Sequence, residues 1–490
     1  MRAAIQIGML GIRIGMIPRL HLDSSAEQPL YRQLHEQIAS LIRRGGLAHG
    51  TRLPATREMA SQFGLNRTTV SAAYELLEAE GLIRGHVGRG SFVHHEGPIE
   101  LSAVPAGEPI SFASSRPAGE QFPLADFQRT CTEVITGPEA SSILQLGAPA
   151  GYSPLRRYLM DQSRAEGCLR DGDDLIVTNG CQHAMDLLQR LFGAAGVSVV
   201  VEDPVYHGLK NVFERNGARL IGIPVGDGGV DVERLGRVIA SEQPRLLVLT
   251  PNFQNPTGAT LPMESRLAIV KMIREHRFTL IENDIYGDLR YEGESLPSIR
   301  QLDDSGRTIL IRSYSKTAFP GLRVGWVIAP ARVASELVDI RQWCDLHTDH
   351  LSQAILHRFS ESGRLASHLK RVRATGAERL RAVLDSCSRY LPAGSTFTRP
   401  SGGMNLWVTL PQGIDTSDLL PRARQAGVTY LPGRNFSVSS FNPSALRLSF
   451  GGVPPERIEA GVAILGRLFS EEAERASGSL SRFDAAPALV

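Results

Sequence analysis

The chain has 490 residues, of which 42% are hydrophobic and 21% charged. These values exclude an intrinsically disordered protein, and the length predicts two to four domains, or one large domain with a small one. No run approaches about 18 uninterrupted apolar residues, so we expect no membrane span. Residues 1–93 carry 11 arginines, no lysine and seven acidic residues, a net charge of +4, whereas the remainder carries −2. That asymmetry favours nucleic acid as a partner of the N-terminal part.

The five cysteines are scattered along the chain, and none has the spacing of a zinc ligand. We therefore expect no metal site, and free thiols in a reducing cytoplasm. Residues 1–16 lack the cleavage site of a signal peptide. They are interpreted as a disordered extension or as an early start codon, with Met16 as the alternative first residue.

A helix-turn-helix pattern occupies the first part of the chain. Apolar positions at helical spacing predict a first helix over 30–44. Pro54 opens a second helix that ends near Gly64, and Asn66 can cap a third. Two short apolar segments on either side of the turn at 85–90 predict a β-hairpin, or wing, behind the helices.

Residues 94–109 are rich in proline, glycine, alanine and acidic residues, which predicts a linker. Short apolar strands then alternate with helices, as in an α/β domain with a mostly parallel sheet, and a smaller α+β lobe follows. Strands are predicted at Leu175–Val177, Val197–Val201, Leu246–Leu249, Thr279–Ile281, Ile309–Ile311 and Val324–Ile328, and in the smaller lobe near Met404–Thr409 and Leu446–Phe450. The predicted domains are a head over 24–93 and a body over 110–470, with a large lobe at about 150–345 and a small lobe at about 363–470.

The second helix of a helix-turn-helix enters the major groove, and its first residues contact bases and phosphates. Here an amide and a guanidinium able to pair with base edges precede two hydroxyls suited to phosphate. These residues are Asn66, Arg67, Thr68 and Thr69. The other predicted contacts are arginines, and a glycine that permits close approach: Arg52, Arg57, Arg89 and Gly90. The alternative is a small helical domain with ordinary surface arginines.

Three segments carry a family resemblance: PLYRQL at 29–34, LPATREMA at 53–60 and GRGSFV at 88–93. With them, residues 30–93 resemble the winged helix-turn-helix of GntR-family regulators. The resemblance implies DNA contacts at the positions of Arg52, Arg57, Arg67, Thr69 and Gly90.

A second motif surrounds Lys316, one of only four lysines, in the segment SYSK at 313–316. A lysine in a shielded pocket forms a Schiff base with an aldehyde, and the flanking hydroxyls and Arg323 could hold a phosphate. Pyridoxal phosphate needs both features, and a carboxylate against its pyridine nitrogen, for which Asp284 follows a predicted strand. Asn255 could bond the ring hydroxyl, and Tyr206 could stack on the ring.

Residues 180–182 begin a helix after a strand, where backbone amides favour a phosphate. All these loops follow the carboxyl ends of strands, where open α/β sheets bind ligands. Taken singly, the same residues are also typical of a surface lysine, a helix-capping aspartate, a core aromatic side chain and a solvated arginine.

As an ordered set, these motifs resemble the fold-type I, class I aminotransferase domain over about 110–470. The resemblance implies Lys316 as the Schiff-base lysine and Asp284 as the partner of the pyridine nitrogen, with Tyr206 stacked on the ring. It implies Asn255 and Tyr286 at the ring hydroxyl. The implied phosphate ligands are Gly180, Cys181, Gln182, Ser313, Ser315 and Arg323.

Two further positions follow from the same resemblance. Tyr152 matches the tyrosine that reaches the phosphate of the partner subunit. Arg447 matches the arginine that binds an amino-acid α-carboxylate, and its alternative interpretation is a surface charge at a strand end. Asn405 departs from the family pattern, which often has histidine there.

Both halves in this order resemble the MocR-type branch of GntR regulators. The resemblance implies a homodimer, usually head-to-tail, that binds two half-sites of double-stranded DNA. It also implies a response to pyridoxal phosphate alone or to its aldimine with an amino acid or amine. The leading hypothesis is therefore a transcription regulator that senses these compounds. The alternatives are an active aminotransferase with an accessory DNA-binding head, and a repressor with a vestigial cofactor fold.

Overall fold

A computed structural model describes residues 20, 22, 29–43, 47, 50–86, 90–94, 109–193, 195–439 and 442–484. The chain divides into two compact units, residues 1–106 and 107–490. We call the first unit the head and the second the body.

The described residues of the head form three helices and one hairpin. They are α1 (Leu30–Arg43), α2 (Thr56–Phe63), α3 (Arg67–Ala79), β1 (Ile83–His86) and β2 (Gly90–Val93). The predicted helix-turn-helix and wing are thus confirmed, and β1 pairs with β2 in antiparallel register.

The core of the head forms where α1 packs against α3, and Leu34, Ile38 and Val70 are fully buried there. Gly64 ends α2 with a φ of 65°, in the left-handed region that glycine adopts without strain. The hydroxyl of Tyr74 in α3 donates a hydrogen bond of 2.8 Å to the carbonyl of Pro54, in the loop before α2. These contacts fix the angle between the two helices of the motif.

The strands of the body are β3 (Ile110–Ser111), β4 (Asp173–Thr178), β5 (Ser198–Asp203), β6 (Arg219–Gly226), β7 (Gly229–Val230), β8 (Leu246–Leu249), β9 (Thr279–Asn283), β10 (Thr308–Ser313), β11 (Gly325–Pro330), β12 (Thr396–Phe397), β13 (Asn405–Thr409), β14 (Val428–Thr429), β15 (Leu431–Pro432) and β16 (Ala445–Ser449). Its helices are α4 (Leu124–Ile135), α5 (Ala140–Ile143), α6 (Ser153–Ala165), α7 (Gly180–Phe192), α8 (His207–Glu214), α9 (Val232–Glu242), α10 (Met263–Glu275), α11 (Ile299–Leu302), α12 (Ala331–Asp345), α13 (His350–Glu361), α14 (Arg364–Tyr390), α15 (Thr416–Gln425) and α16 (Pro455–Asp484).

Eight strands form the large sheet, in the order β4-β11-β10-β9-β8-β5-β6-β7. Neighbours are parallel except at β11, which is antiparallel to β10 and β4, and at β7, which is antiparallel to β6. The six strands predicted in this sheet are confirmed. Strand β6 was not predicted, because most of its side chains are partly exposed and only Ile223 is fully buried.

The small lobe is built on a second sheet in the order β12-β13-β16-β15. Strand β3 pairs in parallel with β14, so residues that precede the large sheet in sequence join this lobe. Phe112 follows β3 and is fully buried in the same hydrophobic core as Leu406, Leu448 and Phe469. The chain therefore passes through the small lobe at β3 before it forms the large lobe.

None of the helices that the structure describes is both long and apolar enough to cross a membrane. All five cysteines are free thiols.

Candidate cofactor and DNA-contact sites

A cavity of about 300 Å³ lies at the carboxyl edge of the large sheet. Its wall brings together residues at the ends of five strands of the large sheet, residues that follow β3, and residues of the small-lobe strands β15 and β16. The predicted residues that line it are Cys181, Gln182, Tyr206, Asn255, Tyr286, Ser315, Lys316, Arg323 and Arg447. Lining residues that sequence reasoning missed are Ala113, Ser114, Ser115, His207, Thr250, Asn283, Ile285 and Leu431.

Lys316 is held at the centre of this arrangement. Its Nζ donates a hydrogen bond to the carbonyl oxygen of Ser115 and lies 5.6 Å from the centre of the Tyr286 ring. The Tyr286 hydroxyl is 3.3 Å from the Ser115 hydroxyl and accepts a 3.4 Å hydrogen bond from Nδ2 of Asn255. Ser115 lies 201 positions before Lys316, and no local pattern in the sequence points to that contact.

One end of the cavity is built to hold an anion. Gly180, at the N-terminus of α7, has a φ of 75°, and a Cβ there would lie 2.6 Å from Nη2 of Arg323. Arg323 itself is in the left-handed region at a φ of 55°, a strained conformation of the kind found at functional sites. Its Nη2 donates to the carbonyl of Asn179 at 3.1 Å, and its Nη1 lies 3.4 Å from Oγ of Ser315. A helix N-terminus, a guanidinium and a hydroxyl thus meet at one point, as in phosphate sites.

The remaining predicted phosphate ligands surround this point. Ser313 does not line the cavity, but its Oγ accepts a 3.1 Å hydrogen bond from the backbone N–H of Ser315. Nε2 of Gln182 donates to the carbonyl of Gly208 at 2.9 Å. Burial raises the pKa of the Cys181 thiol, which keeps it neutral.

Arg447 forms the opposite end of the cavity and is only 2% exposed. Its Nη1 donates a 2.9 Å hydrogen bond to Oδ1 of Asn255, and its Nη2 donates to the carbonyl of Ala113. The guanidinium carbon lies 5.0 Å from the centre of the Phe436 ring. Burial lowers the pKa of Arg447 to about 10, so it stays charged at neutral pH. Its Nε is buried without a hydrogen-bond partner among the described residues. A buried cation with a free donor suits a carboxylate ligand.

The structure does not bring Asp284, the predicted partner of the pyridine nitrogen, to the wall of this cavity. Its Oδ1 accepts a 2.8 Å hydrogen bond from Asn252, and its Oδ2 lies 3.5 Å from Nη2 of Arg312. With Glu166, it lines a separate cavity behind the strand ends. The physical reason is the alternation of side chains along an extended chain, which sends neighbouring residues to opposite sides.

Asn283 lines the cavity instead. Its Nδ2 donates to Oγ1 of Thr250 at 3.3 Å, whereas its Oδ1 is buried and has no hydrogen-bond partner in the part of the chain that the structure describes. The sequence signal that could have found it is parity at the strand end: Asn283 lines the cavity, whereas its neighbours Glu282 and Asp284 do not.

Two other positions also lie away from the cavity. The Tyr152 hydroxyl donates a 2.7 Å hydrogen bond to Glu139, and Tyr152 does not line the cavity of its own chain. Asn405 is fully buried and does not line it either.

The lining fits pyridoxal phosphate in three respects. Gly180 lets the Arg323 guanidinium approach the N-terminus of α7 more closely than a Cβ would allow, and Lys316 lines the cavity. Two buried polar atoms, Oδ1 of Asn283 and Nε of Arg447, lack partners among the described residues. Within the described residues, no group of three or more His, Cys, Asp or Glu side chains could hold a metal ion.

In the head, the predicted DNA-contact residues lie at the start of α3 and around the wing. Asn66 caps α3, since its Oδ1 accepts a 3.2 Å hydrogen bond from the Thr68 N–H. Arg67 and Thr68 are exposed, and Thr69 is half-buried. The amide oxygen of Asn66 is therefore engaged, and Arg67 is the freer side chain for a base edge.

The wing contributes a close contact between Gly90 and Arg52. Gly90 has a φ of 99°, and a Cβ there would lie 3.1 Å from Nε of Arg52. Arg57, in α2, is exposed. Arg89 lies outside the described residues.

Comparison with known proteins gives two family matches. Residues 139–465 match the family described as aminotransferase class I and II, and residues 30–93 match bacterial regulatory proteins of the gntR family. The chain belongs to the aminotransferase class I and II family. With a GntR-type head before that domain, it has the MocR-type architecture, that of a DNA-binding transcription regulator.

Individual relatives agree with both halves. The probable rhizopine catabolism regulatory protein MocR of Rhizobium meliloti is 29% identical, over 96% of this chain and 99% of that protein. The 2-aminoadipate transaminase of Thermus thermophilus is 34% identical, over 73% of this chain and 89% of the relative. The crystal structure of Pyrococcus horikoshii kynurenine aminotransferase matches with a TM-score of 0.72 and 33% identity, over 75% of this chain and 92% of that structure.

Proposed function

We propose that the body binds pyridoxal 5'-phosphate through Lys316 and that cofactor occupancy, alone or with an amino compound, controls how the head binds operator DNA in the cytoplasm. The observation that carries this proposal is one cavity with three cations in distinct settings: Lys316 at the centre, Arg323 at the anion cradle and Arg447 at the far end. A phosphate, an aldehyde and a carboxylate are the groups that these three cations suit.

Each residue has a defined task in the proposal. Arg323, Ser315 and the N-terminus of α7 bind the phosphate, Asn255 and Tyr286 bind the ring hydroxyl, and Lys316 presents its amine. Pyridoxal phosphate supplies an aldehyde that reacts reversibly with primary amines. Arg447 then binds the carboxylate of an amino-acid effector. Because Arg447 belongs to the small lobe and Lys316 to the large one, an effector held by both favours the closed arrangement of the lobes.

We also propose that the body forms a homodimer, with the two heads on two half-sites of operator DNA. Support comes from apolar side chains that are unusually exposed for a single subunit: Leu144 at 76%, Leu146 at 78% and Trp343 at 91%. Large apolar side chains that are this exposed in one subunit are candidates for burial at a subunit interface. Two heads on one head-to-tail dimer would read half-sites whose spacing the body sets. By the resemblance to aminotransferases, the dimer of the bodies would put Tyr152 at the partner's phosphate.

A second candidate is an active aminotransferase that the head localises on DNA. It is favoured by the 34% identity to a protein named as a transaminase. The two functions differ in what the ligands change: DNA affinity in the first case, and the amount of keto acid in the second.

The deciding experiment is a titration of operator DNA, taken from the region upstream of this gene and its neighbours, with the full chain. It is run without ligand, with pyridoxal phosphate, and with the cofactor plus each common amino acid, in wild type and in Lys316→Ala. We expect a change in DNA affinity of about 5- to 150-fold, the range of typical coupling energies, that Lys316→Ala removes. If no ligand changes affinity, footprint or bend, the sensing function is wrong, and keto-acid formation at enzyme rates would establish the alternative.

A further inference from the structure

We infer that Asn283 faces the position of the pyridine nitrogen in this cavity, and that the site therefore holds the cofactor with its ring nitrogen unprotonated. The inference rests on the proposed binding of pyridoxal phosphate and deepens it. In such a cavity the cofactor binds, but its ring is not held in the protonated form that withdraws electrons.

The first support is the composition of the wall. Among the described residues, no aspartate or glutamate lines the cavity, whose charged side chains are Lys316, Arg323 and Arg447. Without a carboxylate in the wall, no negative side chain there stabilises an additional proton on a bound ring. In this enzyme class, by contrast, a carboxylate keeps the nitrogen protonated so that the ring acts as an electron sink.

The second support comes from the tasks that the other polar groups already have. Arg323 and Ser315 lie at the anion cradle, and Asn255 lies with Tyr286 near the bond to Arg447. The strand ends form the floor of the cavity. Two polar side chains on this floor have no task in the proposal so far: Thr250, just after β8, and Asn283, at the end of β9. A ring anchored at its phosphate and hydroxyl turns its remaining polar atom, the nitrogen, toward that floor.

The third support is the hydrogen bonding of Asn283 itself. Its Nδ2 donates to the Thr250 hydroxyl, and its Oδ1 is buried without a partner among the described residues. An amide nitrogen and oxygen exchange places on rotation, so Asn283 can accept from the Thr250 hydroxyl and offer Nδ2 to the cavity. A neutral pyridine nitrogen needs such a donor. A buried polar atom left without a partner is destabilising, so a ligand that satisfies it binds better.

Three carboxylates near Asn283 do not line the cavity. Glu282 accepts hydrogen bonds from the N–H groups of Ile299 and Arg300. Asp284 bonds to Asn252 and lies near Arg312 on the other side of the strand end. Glu202 lies behind Thr250, whose N–H donates to its Oε2 at 3.1 Å. Burial raises the pKa of Glu202 to about 8, so it is protonated at neutral pH. The floor is therefore neutral.

The test uses the full chain loaded with pyridoxal phosphate labelled with ¹⁵N in the ring. The ¹⁵N chemical shift moves far upfield when the nitrogen is protonated, so it reports the proton directly and needs no turnover. We expect the wild-type nitrogen to be unprotonated at pH 7. Asn283→Asp should protonate it, through a roughly 10- to 1000-fold gain in proton affinity from the adjacent opposite charge. The matched control Asp284→Asn should leave the wild-type shift unchanged.

The possible outcomes distinguish an error in the assignment of Asn283 from an error in the proposed cofactor binding. Binding of the cofactor with a protonated nitrogen in wild type, or loss of that proton in Asp284→Asn, overturns the assignment of Asn283 and leaves the proposed cofactor site intact. Absence of bound pyridoxal phosphate in wild type overturns the proposed function and this inference with it. If Asn283→Asp does not fold, the spectra of the wild type and of Asp284→Asn still show whether the ring nitrogen is protonated and whether Asp284 controls that proton.

Discussion

Nη1 of Arg447 donates a 2.9 Å hydrogen bond to Oδ1 of Asn255. Arg447 lies on β16 of the small lobe, and Asn255 follows β8 of the large lobe, so this bond joins the lobes across the cavity. The guanidinium is thereby oriented before any ligand arrives, which lowers the entropic cost of binding a carboxylate. Through Asn255, whose Nδ2 donates to the Tyr286 hydroxyl, the same bond also connects Arg447 to Tyr286.

Arg447→Ala should abolish the response to amino-acid effectors while leaving binding of pyridoxal phosphate in place. A lost hydrogen bond to a charged ligand costs about 1.5–3 kcal/mol, which is roughly a 10- to 150-fold weaker effector. The measurement is effector affinity followed by DNA binding of the cofactor-loaded protein. Arg434→Ala is the matched control, since Arg434 is in the same lobe and pairs with Asp415 at 2.9 Å. If Arg447→Ala responds like wild type, the protein senses the cofactor itself.

Borohydride reduction of the cofactor-loaded protein should fix the label on Lys316, and Lys316→Ala should prevent it. Lys210 bonds to the carbonyl of Ser437 at 2.6 Å, and Lys271 pairs with Glu275 on the surface at 3.7 Å, so neither faces the cavity. Peptide mapping by mass spectrometry locates the adduct, with Lys271→Ala as the control. A label on any other lysine contradicts the site assignment.

Arg67→Ala should weaken binding to the operator by roughly 1–3 kcal/mol and relax its sequence preference, as expected for a side chain that reads a base. Arg57→Ala serves as the comparison, because a phosphate contact weakens operator and random DNA equally and reduces the salt dependence of binding. Fluorescence anisotropy at several salt concentrations measures both. Equal losses on the two DNAs for Arg67→Ala would make it a phosphate contact.

Acidification should destabilise the body through His368, which is buried and stacked on Phe319. Burial lowers the pKa of His368 to about 4. Its unfolded value is near 6.5, so the unfolded state binds more protons between these values and stability falls as the pH drops from about 6.5 to 4. The loss is at most about 3 kcal/mol.

Tryptophan fluorescence measures this transition selectively, because the three tryptophans, Trp326, Trp343 and Trp407, belong to the body. His368→Leu removes the titrating group and should flatten the pH dependence in that window. An unchanged slope in the variant would assign the acid sensitivity to other groups.

Trp343→Ser should shift the protein toward monomers if the exposed Trp343 lies in the subunit interface. The matched control is Leu267→Ser, which removes another apolar side chain that is 52% exposed, on α10. Sedimentation velocity over a range of protein concentrations reports the equilibrium. Equal behaviour of the two variants would exclude Trp343 from the interface.

Local features of the sequence were sufficient for most of the fold. The cap at Asn66, the glycine at 64 and the apolar runs of the central strands act within a few residues, so the helix-turn-helix and six strands of the large sheet followed from them. The loops that carry Lys316 and Arg323 were predictable for a related reason: parallel strands present their carboxyl ends at one edge.

Only the tertiary structure decided which side chains line the floor of the cavity and which atom Lys316 contacts. Asn283 and Asp284 are adjacent in the sequence, and the chemistry of the pyridine nitrogen favoured the carboxylate of Asp284 as its predicted partner. Adjacent residues at a strand end point to opposite faces, however, and only the folded structure shows which of the two lines the cavity. The contact between Ser115 and Lys316 spans 201 positions and depends on β3 pairing with β14 in the small lobe. Local propensity carries no information on such pairings, because their free energy comes from burial that exists only in the folded chain.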